Sequence, residues 1–168
     1  YYTEGPYYQR YAMLPFMVFA QGLDNKRPDL KIFEYRNGLL PKAVKALLYQ
    51  TNADGEFFPI NDAQKGMSIN SGSVVTAVNI AYGATGEPAF VAAACMQGTV
   101  LLDQNGFALA QEVQKKPNQT FKKESVERTD GADGTDGALG IIRSGAGTDE
   151  MNLVYKYTAQ GLGHGHYD

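Results

Sequence analysis

Tryptophan is absent from this chain, cysteine occurs once and histidine only twice. The lone Cys95 excludes an internal disulfide. It stands in the apolar run 90–96 with no histidine nearby, which predicts a buried, inert thiol rather than a nucleophile. There is no basic excess, the formal net charge being -3, which argues against nucleic acid, whose binders carry a basic face. No run approaches the roughly 20 apolar residues that a membrane-spanning helix needs. No secretory leader is visible, although a piece that had lost its start would show none. No Gly-x-Ser-x-Gly elbow, P-loop or dinucleotide fingerprint is present. With 43% hydrophobic and 20% charged residues, the 168-residue chain nevertheless has the makings of a folded core and is not disordered.

Tyrosine is what it has in quantity, and the distribution is uneven. Five of the eleven fall within the first eleven residues: Tyr1, Tyr2, Tyr7, Tyr8 and Tyr11. They surround Thr3-Glu4-Gly5-Pro6 and are joined by Gln9 and Arg10. A buried helix would be more apolar, and a solvated one would carry more Lys and Glu. Phenols, an amide and a guanidinium together suit a polar, anionic ligand such as an acidic sugar. The chain opens on this cluster without a lead-in, which suggests a piece of a longer polypeptide.

Periodicity predicts helices first. Pro6 suits a first helical turn, where its missing N–H costs nothing. A helix over 6–22 would carry Tyr7, Tyr11, Leu14 and Val18 on its apolar face, kinked at Pro15. A second starts after Arg27-Pro28, breaks near Asn37-Gly38, and resumes over 41–50 with Val44, Leu47 and Leu48 on one face. Further helices are expected over 73–82 with a serine cap, 87–97 behind Pro88, and 106–114. Short links favour antiparallel neighbours. The polar stretch 52–72, containing Glu56-Phe57-Phe58-Pro59-Ile60-Asn61-Asp62, is long enough to be a functional loop or lid. Glu56 and Asp62 either line a cleft there or are ordinary loop polarity.

Composition shifts at Lys115-Lys116-Pro117-Asn118, and the period changes from helical to alternating. Strands are expected over 124–128, 138–143 and 153–158, the first two joined by an Asp/Gly turn over 130–137 that lacks calcium-loop spacing. The predicted class is therefore α+β: a helical part over 1–116, then the opening strands of an antiparallel β part over 117–168. The chain closes on Gly163-His164-Gly165-His166-Tyr167-Asp168. On a strand, His164 and His166 would share a face. They are open to reading as metal ligands, bases, carboxylate partners, or simply hydrogen-bonded strand histidines.

The tyrosine cluster, Glu56 to Asp62, Gly140-Ile141-Ile142-Arg143-Ser144-Gly145, Lys156-Tyr157-Thr158 and the closing histidine motif occur in the order found in oligoalginate lyases. The chain thus resembles polysaccharide lyase family seventeen, of the heparinase II/III-like group, across essentially its whole length. The resemblance implies the last helices of an (α/α) toroid followed by an antiparallel β-sheet domain, with the active site between them. It implies exo-acting β-elimination from a uronate polymer such as alginate. The C5 proton is removed, the 4-linked sugar leaves, and an unsaturated uronate forms. Tyr8 matches the family's acid, which is also a candidate base, with Tyr7 as the alternative. His164 matches the residue that neutralises the substrate carboxylate, and His166 a ligand of a structural zinc. Arg10, Tyr7 and Tyr2 are the expected substrate-binding residues, Arg10 having an ordinary surface ion pair as its alternative.

A first-turn position would help Tyr8, because helix N-termini favour anions and a free phenol ionises only at about pH 10. The family's Asn-His pair, the remaining zinc ligands and a later tyrosine have no counterpart in these 168 residues, so the piece alone is expected to be inactive. The resemblance further implies a periplasmic or secreted enzyme with no organic cofactor, and leaves homodimerisation open. A lyase of sulfated glycosaminoglycans such as heparan sulfate is the first rival, although only Arg10 and Arg143 stand out as cations for sulfate. A non-catalytic uronate-binding segment is the second.

Overall fold

A computed structural model describes residues 5–129 and 133–158 of the chain. Five α-helices come first: α1 (Pro6–Lys26), α2 (Tyr35–Leu48), α3 (Gly72–Thr85), α4 (Pro88–Gln97) and α5 (Gln104–Lys115). Three strands come after them, β1 (Val126–Thr129), β2 (Gly137–Ser144) and β3 (Met151–Thr158). They form one antiparallel sheet in the order β1-β2-β3, with Val126 opposite Ile141 and Gly140 opposite Tyr155. The chain is accordingly α+β.

Pro6 opens α1 as expected, behind Gly5 at a φ of 87°, and the Gln9 N–H bonds back to the Gly5 carbonyl at 3.0 Å. The helix then runs unbroken past Pro15 and four residues beyond the expected end at Gly22. The face it buries is not the one expected. Pro6, Gln9, Met13, Met17 and Ala20 turn inward, whereas Tyr11 is 70% exposed and Leu14 and Val18 are also exposed. Gln9 is tolerated inside because its amide is hydrogen-bonded at both ends. Its Nε2 donates to the Ala43 carbonyl at 3.1 Å, and its Oε1 accepts from Gln50 Nε2 at 2.7 Å. Buried amides held this way avoid the desolvation cost that an apolar-stripe reading assigns them.

The expected second helix after Pro28 is instead a single 3-10 turn, Pro28–Leu30. Arg36, Asn37 and Gly38 take three successive left-handed conformations within α2, which is the break foreseen near Asn37-Gly38. Beyond it Pro41, Val44, Leu47 and Leu48 are buried. Apolar α3 lies at the centre and touches α1, α2, α4 and α5. Its N-cap is Ser71, whose hydroxyl makes no capping bond. Asp103 does cap α5, its Oδ1 accepting from the Gly106 N–H at 2.7 Å. Cys95 on α4 is half-buried rather than buried, and its Sγ lies 3.4 Å from the Lys116 carbonyl, to which it donates.

The stretch between α2 and α3 is not a bare loop. Thr51 bridges Phe57, and Glu56 bridges Ser68. Its two aromatic side chains go opposite ways: Phe57 enters the helical core, while Phe58 joins Leu139 and Ile141 in a second, smaller core beneath the sheet. Phe121, on the link between α5 and β1, packs back into the helical core. Each part therefore holds a side chain of the other.

A buried polar cluster binds the same junction. Arg143 on β2 donates through Nη1 to the Thr51 carbonyl at 3.0 Å, to Glu150 at 3.0 Å and to Asn152 at 2.7 Å, and through Nη2 to the Tyr49 carbonyl. Lys123 donates to the carbonyls of Thr51 and Asn52. The side chains of Lys123 and Arg143 are each only 6% exposed. Burial pushes both of their pKa values down, and the Glu150 carboxylate works against that shift.

Candidate functional site

Tyr7 and Tyr8 occupy the first turn of α1 because Gly5 and Pro6 set where that turn begins. Both rings are half-buried and meet edge to face, centroids 5.1 Å apart. The Tyr8 hydroxyl donates to Asp62 Oδ2 at 3.1 Å, across 54 residues of sequence. Arg10 lies further along the helix, with its guanidinium 4.8 Å from the centre of the Tyr7 ring. Its Nη1 donates to Ser73 Oγ at 3.0 Å, at the start of α3. The Ser71 and Ser73 hydroxyls are 3.3 Å apart. Arg10 Nε is shut off from solvent without a hydrogen-bond partner among the described residues.

The segment carrying Asp62 is fixed against the start of α1. A Cβ at Gly5 would lie 3.0 Å from the Ile60 carbonyl oxygen, so only glycine admits this approach without displacing backbone. Asn61 sits at a left-handed φ of 56°, a region that asparagine tolerates better than most residues. Its Oδ1 accepts from Lys156 Nζ on β3 at 2.8 Å. A helix start, a connector and a strand thus converge on one place.

Tyr7, Tyr8 and Arg10, expected as site residues, are together on α1. Tyr2, His164 and His166 lie outside the described residues. Among the described residues, Arg10 donates to a serine hydroxyl. Sequence reading did not connect Asp62, Ser73, Asn61 or Lys156 with the cluster. No local pattern joins residues 54 to 95 positions apart. A faint signal lay in the position of Asp62 shortly after two adjacent phenylalanines, whose burial anchors the connector on which it stands. Among the described residues no group of three or more His, Cys, Asp and Glu gathers as a metal would require.

In chemical terms the arrangement offers a phenol, a guanidinium and the N-terminal ends of two helices, all of which favour an anion. An open depression elsewhere on the chain is lined by Asn52, Asp54, Glu150 and Asn152.

No protein-family model matches the chain. All 168 residues align with an exo-oligoalginate lyase of Saccharophagus degradans at 46% identity, and with an alginate lyase of Stenotrophomonas maltophilia at 42%. The chain spans 23% and 22% of those two proteins, less than a quarter of either curated relative. No helix among the described residues is long and apolar enough to cross a membrane.

Proposed function

We propose that these 168 residues are the core of the substrate cleft of an alginate-cleaving polysaccharide lyase, acting by β-elimination and releasing unsaturated uronate from oligoalginate ends. The observation that carries this reading is the alignment of the whole chain with two proteins named as alginate lyases. The finer assignments, polysaccharide lyase family seventeen and a toroid followed by a β-sheet domain, rest on the order of the sequence motifs.

Elimination needs two things. The carboxyl group next to C5 must be neutralised so that negative charge can develop there, and a group must move a proton between C5 and the bridging oxygen. Arg10 meets the first need as a fork-shaped donor at the start of α3, helped by His164. Tyr8 meets the second from the first turn of α1. Tyr7 and Tyr2 wall the cleft. His166 is one ligand of a structural zinc, which would stiffen the β part and supply no step of the reaction. The enzyme works in the periplasm or outside the cell, on an acidic polysaccharide, as a monomer or homodimer. The 168 residues by themselves turn over little, since they hold only part of the catalytic set.

The test uses the full-length gene product, assayed on alginate and on heparan sulfate by the ultraviolet absorbance of the unsaturated product. Turnover of alginate alone is expected. Turnover of heparan sulfate instead would favour the glycosaminoglycan reading, and absorbance change on neither would leave a binding segment. Tyr8→Phe should keep substrate binding and lower kcat by on the order of 100-fold or more. Near wild-type turnover in that variant would remove Tyr8 from the reaction.

A further inference from the structure

We propose that Asp62 is a positioning residue for Tyr8, holding the phenol at a set place and angle in the cleft; the inference rests on the lyase reading. A tyrosine in the first turn of a helix swings about two side-chain torsions, and its oxygen sweeps several ångströms as it does so. Packing against Tyr7 limits the ring. The Asp62 carboxylate, 3.1 Å from the hydroxyl, fixes the oxygen itself. That hold is only as good as the placement of Asp62, and the structure fixes Asp62 from three directions. Phe57 and Phe58, a few residues upstream, are buried in separate cores. The Ile60 carbonyl oxygen lies 3.0 Å from where a Cβ on Gly5 would stand. Lys156, from the sheet, holds Asn61. No such framework is needed for a solvated loop carboxylate.

The contact also sets which way the hydroxyl faces. A phenol has one hydrogen, and a carboxylate without a proton can only accept. With its hydrogen directed at Asp62, Tyr8 presents its oxygen to any further partner as an acceptor. A phenol that keeps its own hydrogen takes up no second proton, so the resting arrangement is that of the acid: turning the O–H about its bond to the ring redirects its proton from Asp62 to the leaving bridging oxygen, and Tyr8 is left a phenolate. Asp62 acts through Tyr8, by holding its hydroxyl.

The experiment uses the full-length enzyme, with Asp62→Ala and Asp62→Asn each made alone and together with Tyr8→Phe. Misplacing a reacting group by about an ångström costs on the order of 100-fold in rate. Asp62→Ala is expected to lower kcat by about 10- to 100-fold while KM changes less than about threefold. Asp62→Asn keeps an oxygen acceptor in the same place and should recover most of that loss, retaining a deficit of about threefold. In the Tyr8→Phe background neither change should lower the residual rate further, because the group they position is gone. Should Asp62→Ala fail to fold by circular dichroism, the folded Asp62→Asn variant decides by the same cycle.

Wild-type kcat in Asp62→Ala, a rise in KM with kcat unchanged, or losses that persist in the Tyr8→Phe background would each overturn the proposal. If Asp62→Asn stands in, no loss would overturn it as well. Failure of the lyase reading is separately visible. It would show as absent alginate turnover, or as an active Tyr8→Phe single variant, whereas an inactive Tyr8→Phe with indifferent Asp62 variants removes this inference alone.

Discussion

Among the described residues, Tyr8 and Tyr157 both donate to a carboxylate, in different surroundings. Tyr8 gives its hydrogen to Asp62 within a half-buried site held from three sides. Tyr157 on β3 gives its hydrogen to Glu127 on β1 at the exposed face of the sheet, stacked on Tyr155 with ring centroids 5.8 Å apart. The Glu127 hydrogen bond, with smaller help from desolvation and charge, raises the Tyr157 pKa from 10.0 to about 12. A raised folded-state value means that the neutral phenol is the favoured form. Its contribution to stability is complete below pH 10.0 and disappears as pH rises through about 12. An absorbance titration should therefore show one tyrosine ionising late, and Glu127→Gln should bring it back toward 10.0. A late-ionising tyrosine that persists in Glu127→Gln would show the assignment to be wrong. At Tyr8 the same chemistry is put to use differently, because the surrounding connector gives the carboxylate a fixed place.

At the scale of elements, close approach decides more than amphipathicity does. In the first turn of α5, a Cβ on Gly106 would lie 1.9 Å from the Leu101 carbonyl oxygen, which is backbone and cannot move aside cheaply. Gly106→Ala should destabilise by about 3 kcal/mol, read from denaturant unfolding. Gly22 of α1 is the contrasting case, exposed and with nothing within 4 Å of where its Cβ would be. Gly22→Ala should stabilise by about 0.5–1 kcal/mol through helix propensity. Equal effects at both positions would show that propensity, not contact, governs them. The starts of α1 and α4 were legible because proline at a first turn is a local signal. The inward face of α1 was not. Tyr11, Leu14 and Val18 suit an apolar stripe as well as Met13 and Met17 do, and only the position of α2 and α3 selects between the two stripes.

For the whole molecule, the junction between helices and sheet is the feature on which the site depends. Lys156 reaches the Asp62 segment from β3, so the segment keeps this tie only while the sheet stays docked. Arg143 is the principal tie. It is almost fully buried, paired with Glu150, and bonded to carbonyls at the end of α2. Removing one partner of a buried ion pair leaves the other uncompensated, which costs about 3–5 kcal/mol. Arg143→Ala should lose that much stability in chemical denaturation. Arg143→Lys should recover little, since an ammonium cannot span the same carbonyls as a planar fork. A loss under about 1 kcal/mol would mean that the cluster is solvated and the apolar contacts of Phe58 and Phe121 suffice.

Local patterns along the chain suffice for the class of fold, the order of helices and strands, and the grouping of Tyr7, Tyr8 and Arg10. Each of these comes from residues within a few positions of one another: a proline at a first turn, a change from helical to alternating period, a cluster within one helical turn or two. The two alginate lyases that align with the whole chain lie in the direction its motifs indicated. Tertiary structure alone decided that Asp62 meets Tyr8, that Ser73 meets Arg10, and that Phe57 and Phe58 part into separate cores. It also decided that Gln9, a polar residue, is buried while Tyr11 is exposed. The reason is physical. A partner 54 or 63 residues away is brought near by the packing of everything between, and no local preference encodes that sum.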